Sequence, residues 1–371
     1  MIVRIGDNII SSLGFTTEEN YQAVKSGRSG LKFYDAGTLG LPEAFTASLI
    51  DKQRLNENLT GLETDLEKAS ILSVISANNE AKIDLSSEKV LFIFSSTKGN
   101  VDLLESPSVG DSRGLFLWQS AQLIAGYFNN PNTPIVVSNA CISGAAAQIA
   151  AMRELASGLY DYAVVIGADM LSKFIISGFQ SFKALSPEPC RPFDADRTGL
   201  NLGEAAATII YANKGFNPLA IQLLQGAIRN DATHISAPSR AGEGSYLALK
   251  NILQNIDKEQ IAFVNAHGTA TLYNDEMESI AIARAGLDTV PVNSLKAYFG
   301  HTLGAAGVLE SIISMHALKD ETIFPTLNFH SQDFENQLNI PIKIQKTNKK
   351  YLIKMLSGFG GVNAALIFEK S

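Results

Sequence analysis

Short apolar runs rich in β-branched residues alternate with longer helical segments along most of the chain. Strands that are apolar at successive positions are typical of sheets covered by helices on both faces. The pattern predicts strands at 90–96, 135–139, 162–169, 207–211, 260–265, 290–294, 342–345 and 352–356. It predicts helices between them at 115–128, 143–157, 244–256, 275–285 and 305–319. This alternation indicates an α/β fold with mainly parallel strands.

The order of these elements runs twice along the chain, although no stretch of sequence repeats. Turn-forming residues cluster at 213–218, between the two runs. We therefore predict two similar halves, at 1–215 and 216–371, packed as one body.

Composition narrows the possible functions. The chain has 371 residues, of which 46% are hydrophobic and 18% charged, as expected of a protein with a large core. Thirty basic against 37 acidic residues give a net charge of −7, which argues against a nucleic-acid or membrane partner. No apolar run is long enough to span a bilayer, and the N-terminus lacks the pattern of a secretory signal. We expect a cytoplasmic protein.

Cys141 lies in the segment SNACISG, between an apolar strand and a run of small residues that favours a closely packed helix. A thiol at a helix N-terminus is near the positive end of the dipole, which favours the nucleophilic thiolate near neutral pH. The alternative interpretation is a buried structural cysteine, because free cysteine is among the most buried residues. Cys190, in a proline-bounded loop, has no such setting.

Two further strand ends carry polar side chains. His267 follows a strand in NAHGTAT, and Lys296 and His301 follow another in NSLKAYFGHTLGAAG. Ligands bind at strand ends in α/β sheets, so these side chains are candidates for a common site. Alone, each histidine is as well explained by a structural hydrogen bond.

The segment SGFGGVN at 357–363 contains three glycines around Phe359, one of them Gly360. Such a loop can bring backbone amides close to a developing oxyanion, although tight glycine turns are also common without function. Together with the cysteine, the histidines and the lysine, it indicates thiol-based acyl transfer. A metal site is disfavoured on the ground that His267 and His301 have no cysteine nearby in the sequence.

These motifs, with RPFDADRTGLNLGEAA at 191–206, resemble the β-ketoacyl-(acyl carrier protein) synthases, elongating condensing enzymes of the thiolase superfamily. The resemblance covers about residues 130 to 371 in the family's order. It implies a thiolase-like, duplicated, five-layered αβαβα fold. It also implies a decarboxylative Claisen condensation of an acyl thioester with malonyl-carrier protein, in fatty-acid or polyketide-type chain elongation.

The resemblance implies a role for each site residue. Cys141 takes the acyl group, and His267 and His301 stabilise the enolate formed from the malonyl thioester. Lys296 acts by its charge and by organising His267, together with Glu278. The amides of Cys141 and Phe359 form an oxyanion hole.

The same resemblance makes Phe359 a gate beside Gly360, and it makes Thr269 and Thr271 the binding site of the pantetheine arm. No metal or other bound cofactor is implied, since the phosphopantetheine arrives on the partner, acyl carrier protein. Lys183 and Arg197 are candidate docking residues for that acidic partner. A homodimer is implied, with a heterodimer of related chains as an alternative.

Other classes remain open at this stage. One is a non-catalytic chain-length partner of a heterodimeric ketosynthase, which shares the fold but lacks the cysteine. A degradative thiolase would use two cysteines, and an initiating synthase would carry asparagine in place of His301. The segment before Cys141 is short for an elongating synthase, which favours a specialised pathway with an unusual acyl chain.

Overall fold

The computed structural model describes residues 1–62, 64–105, 114–213 and 221–370. Its strands are β1 Ile2–Ser11, β2 Lys32–Tyr34, β3 Phe45–Ser48, β4 Val90–Ser95, β5 Ile135–Val137, β6 Tyr162–Asp169, β7 Leu202–Gly203, β8 Ala205–Ala212, β9 Gln222–Asn230, β10 Ile261–Asn265, β11 Val292–Asn293, β12 Thr322–Ile323, β13 Gln345–Lys346, β14 Tyr351–Gly358 and β15 Val362–Glu369. Its α-helices are α1 Thr17–Lys25, α2 Lys52–Asn58, α3 Asp65–Ala81, α4 Leu117–Tyr127, α5 Ser143–Ser157, α6 Lys173–Ser181, α7 Glu243–Ile252, α8 Leu272–Arg284, α9 Lys296–Phe299 and α10 Ala306–Lys319.

The main sheet has the strand order β11-β10-β14-β15-β9-β1-β8-β6-β4-β5, and its two halves are related. In one half β5, β4 and β6 are parallel, and β8 and β1 are antiparallel to their neighbours. In the other half β11, β10 and β14 are parallel, and β15 and β9 are antiparallel to theirs. The halves meet where β1 pairs with β9. The predicted boundary at 215/216 lies outside the described residues and stays a prediction.

The helices and the two half-sheets form five layers, which pack against one another through three apolar cores. One core packs α3 and α4 on the outer face of the half-sheet that contains β4 and β6. A second packs α7 and α8 on the outer face of the half-sheet that contains β10 and β14. The largest core surrounds α5 and α10, which lie between the two half-sheets. The predicted thiolase-like αβαβα architecture is therefore the observed one.

Two sequence predictions about strands need correction. The expectation of mainly parallel strands is wrong at the centre of the sheet, where β1, β8, β9 and β15 run antiparallel to their neighbours. A glycine turn joins β14 directly to β15, and a direct hairpin can only produce an antiparallel pair. The predicted strand at 342–345 is also wrong, because Ile342 and Ile344 are solvent-exposed and only Gln345–Lys346 pairs.

The sequence contains no apolar run long enough to span a bilayer, and the helices of the structure can be compared with that prediction. Within the described parts of the chain, no helix is both long and apolar enough to cross a bilayer.

Candidate active site

Cys141 lies in a tight turn between β5 and α5. Ala140 has a φ of 46°, a left-handed conformation that is costly for a residue with a side chain. Ser143 holds the turn, because its hydroxyl accepts from the Asn139 amide at 2.8 Å and donates to the Ala140 carbonyl at 2.6 Å. The result is a cysteine fixed one residue before the helix cap Ile142, at the base of a cavity.

The thiol is not preionised, contrary to the sequence prediction. Cys141 is only 8% exposed, and burial raises the pKa of its thiol to about 11. The positive charges of Lys296 and Lys98 lower that pKa but do not outweigh the lost hydration. Acyl transfer to this cysteine therefore requires removal of its proton as the bond to sulfur forms.

His267 begins the loop that follows β10, and two carboxylates of α8 hold this loop. Glu278 accepts the backbone N–H groups of His267 and Gly268, each at 2.7 Å. Asp275 accepts those of Thr269 at 2.9 Å and Ala270 at 3.1 Å. The positions 275 and 278 lie one turn apart on the same face of α8, so one helix positions the whole loop.

His301 lies against His267, with ring centroids 5.0 Å apart and planes nearly perpendicular at 84°. Its Nδ1 accepts a hydrogen bond from the Leu303 backbone N–H at 3.3 Å. The proton of the neutral ring is therefore on Nε2. Its own backbone N–H donates to the Asn201 carbonyl at 2.7 Å. His301 is thereby a fixed hydrogen-bond donor.

Both imidazoles are held neutral. Burial, followed by the charge of Lys296, lowers the pKa of each ring well below its ordinary value. His301 contributes to the shift at His267, and Lys354 contributes to both. A neutral ring can donate one N–H to an oxyanion and does not add a buried charge before the reaction begins.

Glu278 holds the backbone of His267, whereas the ionic partner of Lys296 is Glu310 of α10. The Nζ of Lys296 bonds Glu310 Oε1, and both side chains are at most 1% exposed. Lys354 of β14 lies at the other oxygen of the same carboxylate. Sequence reasoning missed Glu310 and Lys354, although a lone charge within each apolar element, VLESII and LIKML, is a usable signal.

The glycine loop after β14 lies directly beside the cysteine turn. A Cβ on Gly358 would be 3.1 Å from the Cys141 amide nitrogen and from the Ala140 side chain, so only glycine allows this approach. Gly360 and Gly361 have φ values of 89° and 72°, which side chains rarely tolerate. The backbone of the loop therefore packs directly against the turn that carries Cys141.

Phe359 forms one wall of the cavity mouth. It is 41% exposed, and its ring lies 6.0 Å from that of Phe179 and 5.6 Å from that of Phe182. The Gly360 amide donates to the Ile235 carbonyl at 2.7 Å, which ties the loop to the opposite side of the mouth. The ring is therefore a partly exposed part of the lining of the cavity that contains Cys141.

A cavity of about 410 Å³ connects these groups to the surface. Cys141, His267 and His301 line it, as do Thr269 and Thr271, whose hydroxyls are 2.9 Å apart. Neither lysine of the Glu310 cluster lines it, so both act from behind the histidines. Cys190 is also absent from the lining, and burial raises the pKa of its thiol to about 12.

The sequence suggested that His267 and His301 have no cysteine near them, but the fold places Cys141 beside both. The fold brings the Cys141 sulfur and one nitrogen each of His267 and His301 within 4.8 Å of one another. Three such ligands could hold a soft cation. The ammonium groups of Lys296 and Lys354 oppose that occupancy, because both lie close enough to shift the pKa of the two histidines.

A strained cysteine turn, two neutral histidines and a glycine loop at the meeting point of two related half-sheets define a thiolase-like condensing enzyme. Comparison with known proteins identifies the family. Residues 103–214 match the β-ketoacyl synthase N-terminal domain, and residues 221–330 match its C-terminal domain. The chain belongs to the β-ketoacyl synthase family, whose members are acyltransferase-type condensing enzymes.

Relatives cover the whole chain. A 3-oxoacyl-[acyl-carrier-protein] synthase 2 of Vibrio harveyi is 30% identical over 100% of this chain and 98% of its own length. A ketosynthase of Xenorhabdus doucetiae, solved in complex with its chain length factor, superposes with a TM-score of 0.89 at 25% identity, covering 100% of this chain and 98% of its own. The ishigamide ketosynthase/chain length factor superposes with a TM-score of 0.89 at 26% sequence identity. The match covers 100% of this chain and 99% of that structure's chain.

Proposed function

We propose that this chain catalyses the decarboxylative condensation of an acyl group on Cys141 with a malonyl thioester, yielding a 3-oxoacyl thioester in fatty-acid or polyketide elongation. The observation that carries the proposal is the convergence of Cys141, His267 and His301 within 4.8 Å at the base of one cavity. In the first half-reaction the Cys141 sulfur attacks the acyl carbonyl. The thiol proton leaves with the released carrier thiol, and amides of Cys141 and Phe359 stabilise the intermediate oxyanion.

The second half-reaction begins at the histidines. The bond between the malonyl methylene carbon and its carboxylate breaks, CO₂ leaves, and the electron pair forms an enolate on the thioester carbonyl. His301 Nε2–H and the neutral ring of His267 donate to that oxygen. The enolate carbon then attacks the acyl carbonyl on Cys141, and the cysteine leaves as a thiolate that regains a proton.

We propose acyl carrier protein as the partner and its phosphopantetheine arm as the carrier of both substrates. The arm would pass Thr269 and Thr271, whose hydroxyls line the route to Cys141. Lys183 is exposed at the mouth and remains a docking candidate. Arg197 does not fit that role, because its side chain is 4% exposed and pairs with Asp333 at 2.7 Å.

Exposed apolar side chains at the mouth support docking of a protein there. Phe182, Ile235 and Tyr273 are 60%, 76% and 72% exposed and line the cavity entrance. Such a cluster is typical of a contact surface. Carrier docking would therefore combine an apolar rim with local basic charge.

The experiment separates the two half-reactions by mass spectrometry of the acyl adduct and by release of CO₂ from a malonyl thioester. The wild type should form one adduct per chain, on the peptide that contains Cys141. Cys141→Ala should form none. His301→Ala should lose decarboxylation by on the order of 10²-fold, as expected for one oxyanion donor, and lose much less acylation.

Cys190→Ala is the matched control and should behave as the wild type. An adduct on Cys190, or none on any residue of the folded protein, would argue for the non-catalytic partner subunit instead. An equal collapse of acylation and decarboxylation in His301→Ala would contradict the division of labour.

We also propose a dimer formed through the free edge of the sheet. Among the strands in the described part of the chain, β5 is outermost and its residues are half-buried, and the adjacent α4 exposes Trp118, Leu123 and Tyr127. An unpaired edge beside exposed apolar side chains favours pairing with another chain, either a second copy or a related one.

A cytoplasmic location stays a prediction, supported by the free state of both cysteines.

A further inference from the structure

Lys354 is a buried lysine that the catalytic assignment above does not use. It lies on β14, and its side chain is 0% exposed. Its Nζ lies 2.5 Å from Glu310 Oε2 and 3.2 Å from the carbonyl oxygen of Ala266. Since Lys296 occupies the other oxygen of Glu310, one buried carboxylate joins two ammonium groups.

This cluster carries more positive charge than a structural ion pair needs. Two ammonium groups and one carboxylate sum to 2 − 1 = +1, inside a region from which water is excluded. A single lysine would neutralise Glu310. The second adds a desolvation cost and a repulsion between like charges, so stability does not account for it.

The surplus charge lies behind the histidines. Lys354 and Lys296 both lower the pKa values of His267 and His301, which shows that their charge reaches both rings. A positive potential that opposes imidazolium formation also stabilises an anion that the rings bind. In addition, Lys354 holds the carbonyl of Ala266, the residue directly before His267.

We propose that Lys354 is a positioning residue for malonyl decarboxylation: it anchors the strand end that carries His267 and supplies the surplus positive charge of the Lys296–Glu310–Lys354 cluster. The inference rests on the proposed roles of the two histidines. Lys354 does not line the cavity, so it acts through the histidines and not by contact with substrate.

The charged and titratable groups that face Lys354 come from several elements. They are Lys296 of α9, Glu310 of α10, Glu278 of α8, and the histidines His267 and His301. Burial and then Asp275 raise the pKa of Glu278 to about 7, so this carboxyl is a weak counter-charge near neutral pH. Glu310 is the principal partner, because the two lysines lower its pKa despite its burial.

A pH dependence follows from this arrangement. Burial lowers the pKa of the Lys354 ammonium below the ordinary lysine value, although Glu310 opposes the shift. Loss of this proton makes the cluster neutral and removes its effect on the enolate. Decarboxylation should therefore fall as the pH rises through that pKa, whereas acylation should rise as Cys141 ionises.

The test measures both half-reactions with malonyl-CoA and an acyl-CoA, from about pH 7 to about pH 10, the range below the ordinary lysine pKa. In Lys354→Met we expect kcat for decarboxylation to fall about tenfold with little change in KM, less than for a donor in direct contact. Acylation should stay within about twofold of the wild type. The alkaline decline of decarboxylation should disappear.

Lys354→Arg distinguishes charge from packing. A guanidinium keeps its charge throughout this range, so this variant should retain most of the decarboxylation and still lose the alkaline decline. Asp7→Asn is the control for a disturbed buried ion cluster elsewhere, because Asp7 pairs with Arg4 at 2.5 Å and His316 at 2.9 Å. The Asp7→Asn variant should keep the wild-type rate of decarboxylation and its decline at alkaline pH.

Three results would overturn the proposal: a wild-type decarboxylation rate that does not decline at alkaline pH, a Lys354→Met variant with unchanged decarboxylation, or equal losses in both half-reactions. The wild-type pH profile can overturn the proposal even if the variants do not fold, and the variants assign the decline to Lys354. Failure of the proposed function would look different, since the wild type would then form no adduct on Cys141.

Discussion

At the scale of the residue, the protonation of Cys141 decides how the first half-reaction proceeds. Burial raises the pKa of the Cys141 thiol to about 11, although the charges of Lys296 and Lys98 lower it. The neutral imidazoles nearby are poor proton acceptors, because burial and the charge of Lys296 lower their pKa values, so the thiol proton passes to the departing carrier thiol. The cysteine is therefore a neutral thiol in the resting enzyme and loses its proton only as the acyl group is transferred.

The protonation of this thiol can be measured by alkylation. We expect the rate of Cys141 modification by iodoacetamide to rise continuously with pH toward about 11, because only the thiolate reacts and a raised pKa leaves little of it near neutral pH. Peptide mapping after short pulses gives the rate. Cys190 provides the internal control and should react more slowly at every pH, since it is 1% exposed and does not line the cavity.

A plateau below about pH 8 would contradict the burial argument. It would mean that the helix dipole dominates and that the thiolate is present before substrate binds, as the sequence alone suggested.

Sequence patterns identified some site residues and not others, for a clear reason. Cys141 and His267 each follow a strand, His301 follows the short helix α9, and all three precede glycine or small residues, so their local sequence marks them. Glu310 and Lys354 lie in the interiors of α10 and β14, where a lone charge among apolar residues indicates a buried ionic partner but does not identify that partner or its place in the site. Only the packing of these elements shows that both charges meet behind the histidines.

At the scale of the element, the contact between α5 and α10 controls the site. These helices lie between the half-sheets, where α5 follows Cys141 and α10 carries Glu310. Gly144 and Gly307 allow their backbones to approach, since a Cβ on Gly307 would be 2.7 Å from the Gly144 carbonyl carbon. The small-residue runs of both motifs therefore serve helix packing.

Gly307→Ala should destabilise the protein, although alanine normally favours a helix by about 1 kcal/mol over glycine. The added methyl group collides with the α5 backbone, and overpacking of this kind costs about 1–3 kcal/mol. Chemical denaturation measures the free energy of unfolding. Acylation of Cys141 should also slow, because the turn before α5 shifts with the helix.

Gly178→Ala in α6 is the matched control. A Cβ there meets no atom within 4 Å, so this variant should be as stable as the wild type or more stable. A stable Gly307→Ala with normal acylation would show that the two helices separate without cost.

At the scale of the whole molecule, the free edge at β5 predicts association of two chains. Leu123 on α4 is 45% exposed next to this edge. Leu123→Glu should convert a dimer into a monomer, because burying an unpaired carboxylate in an interface costs several kcal/mol. Size-exclusion chromatography with light scattering measures the mass of the complex.

Leu159→Glu serves as the control, since Leu159 is 65% exposed in the connection between α5 and β6 and lies on neither β5 nor α4. It should leave the mass of the complex unchanged. A dimer that survives Leu123→Glu would place the interface on another surface.

The class of fold, the order of most elements around the site, and the residues Cys141, His267, Lys296 and His301 could be predicted from the sequence alone. These features depend on local periodicity and on residues at strand ends, which neighbouring positions encode. The antiparallel centre of the sheet, the partner of Lys296, the protonation of Cys141 and the place of Lys354 became visible only in the folded chain. Each of these depends on which distant segments meet and how much water they exclude, because hydrogen-bond partners and buried charges are set by burial and distance, which no local pattern records.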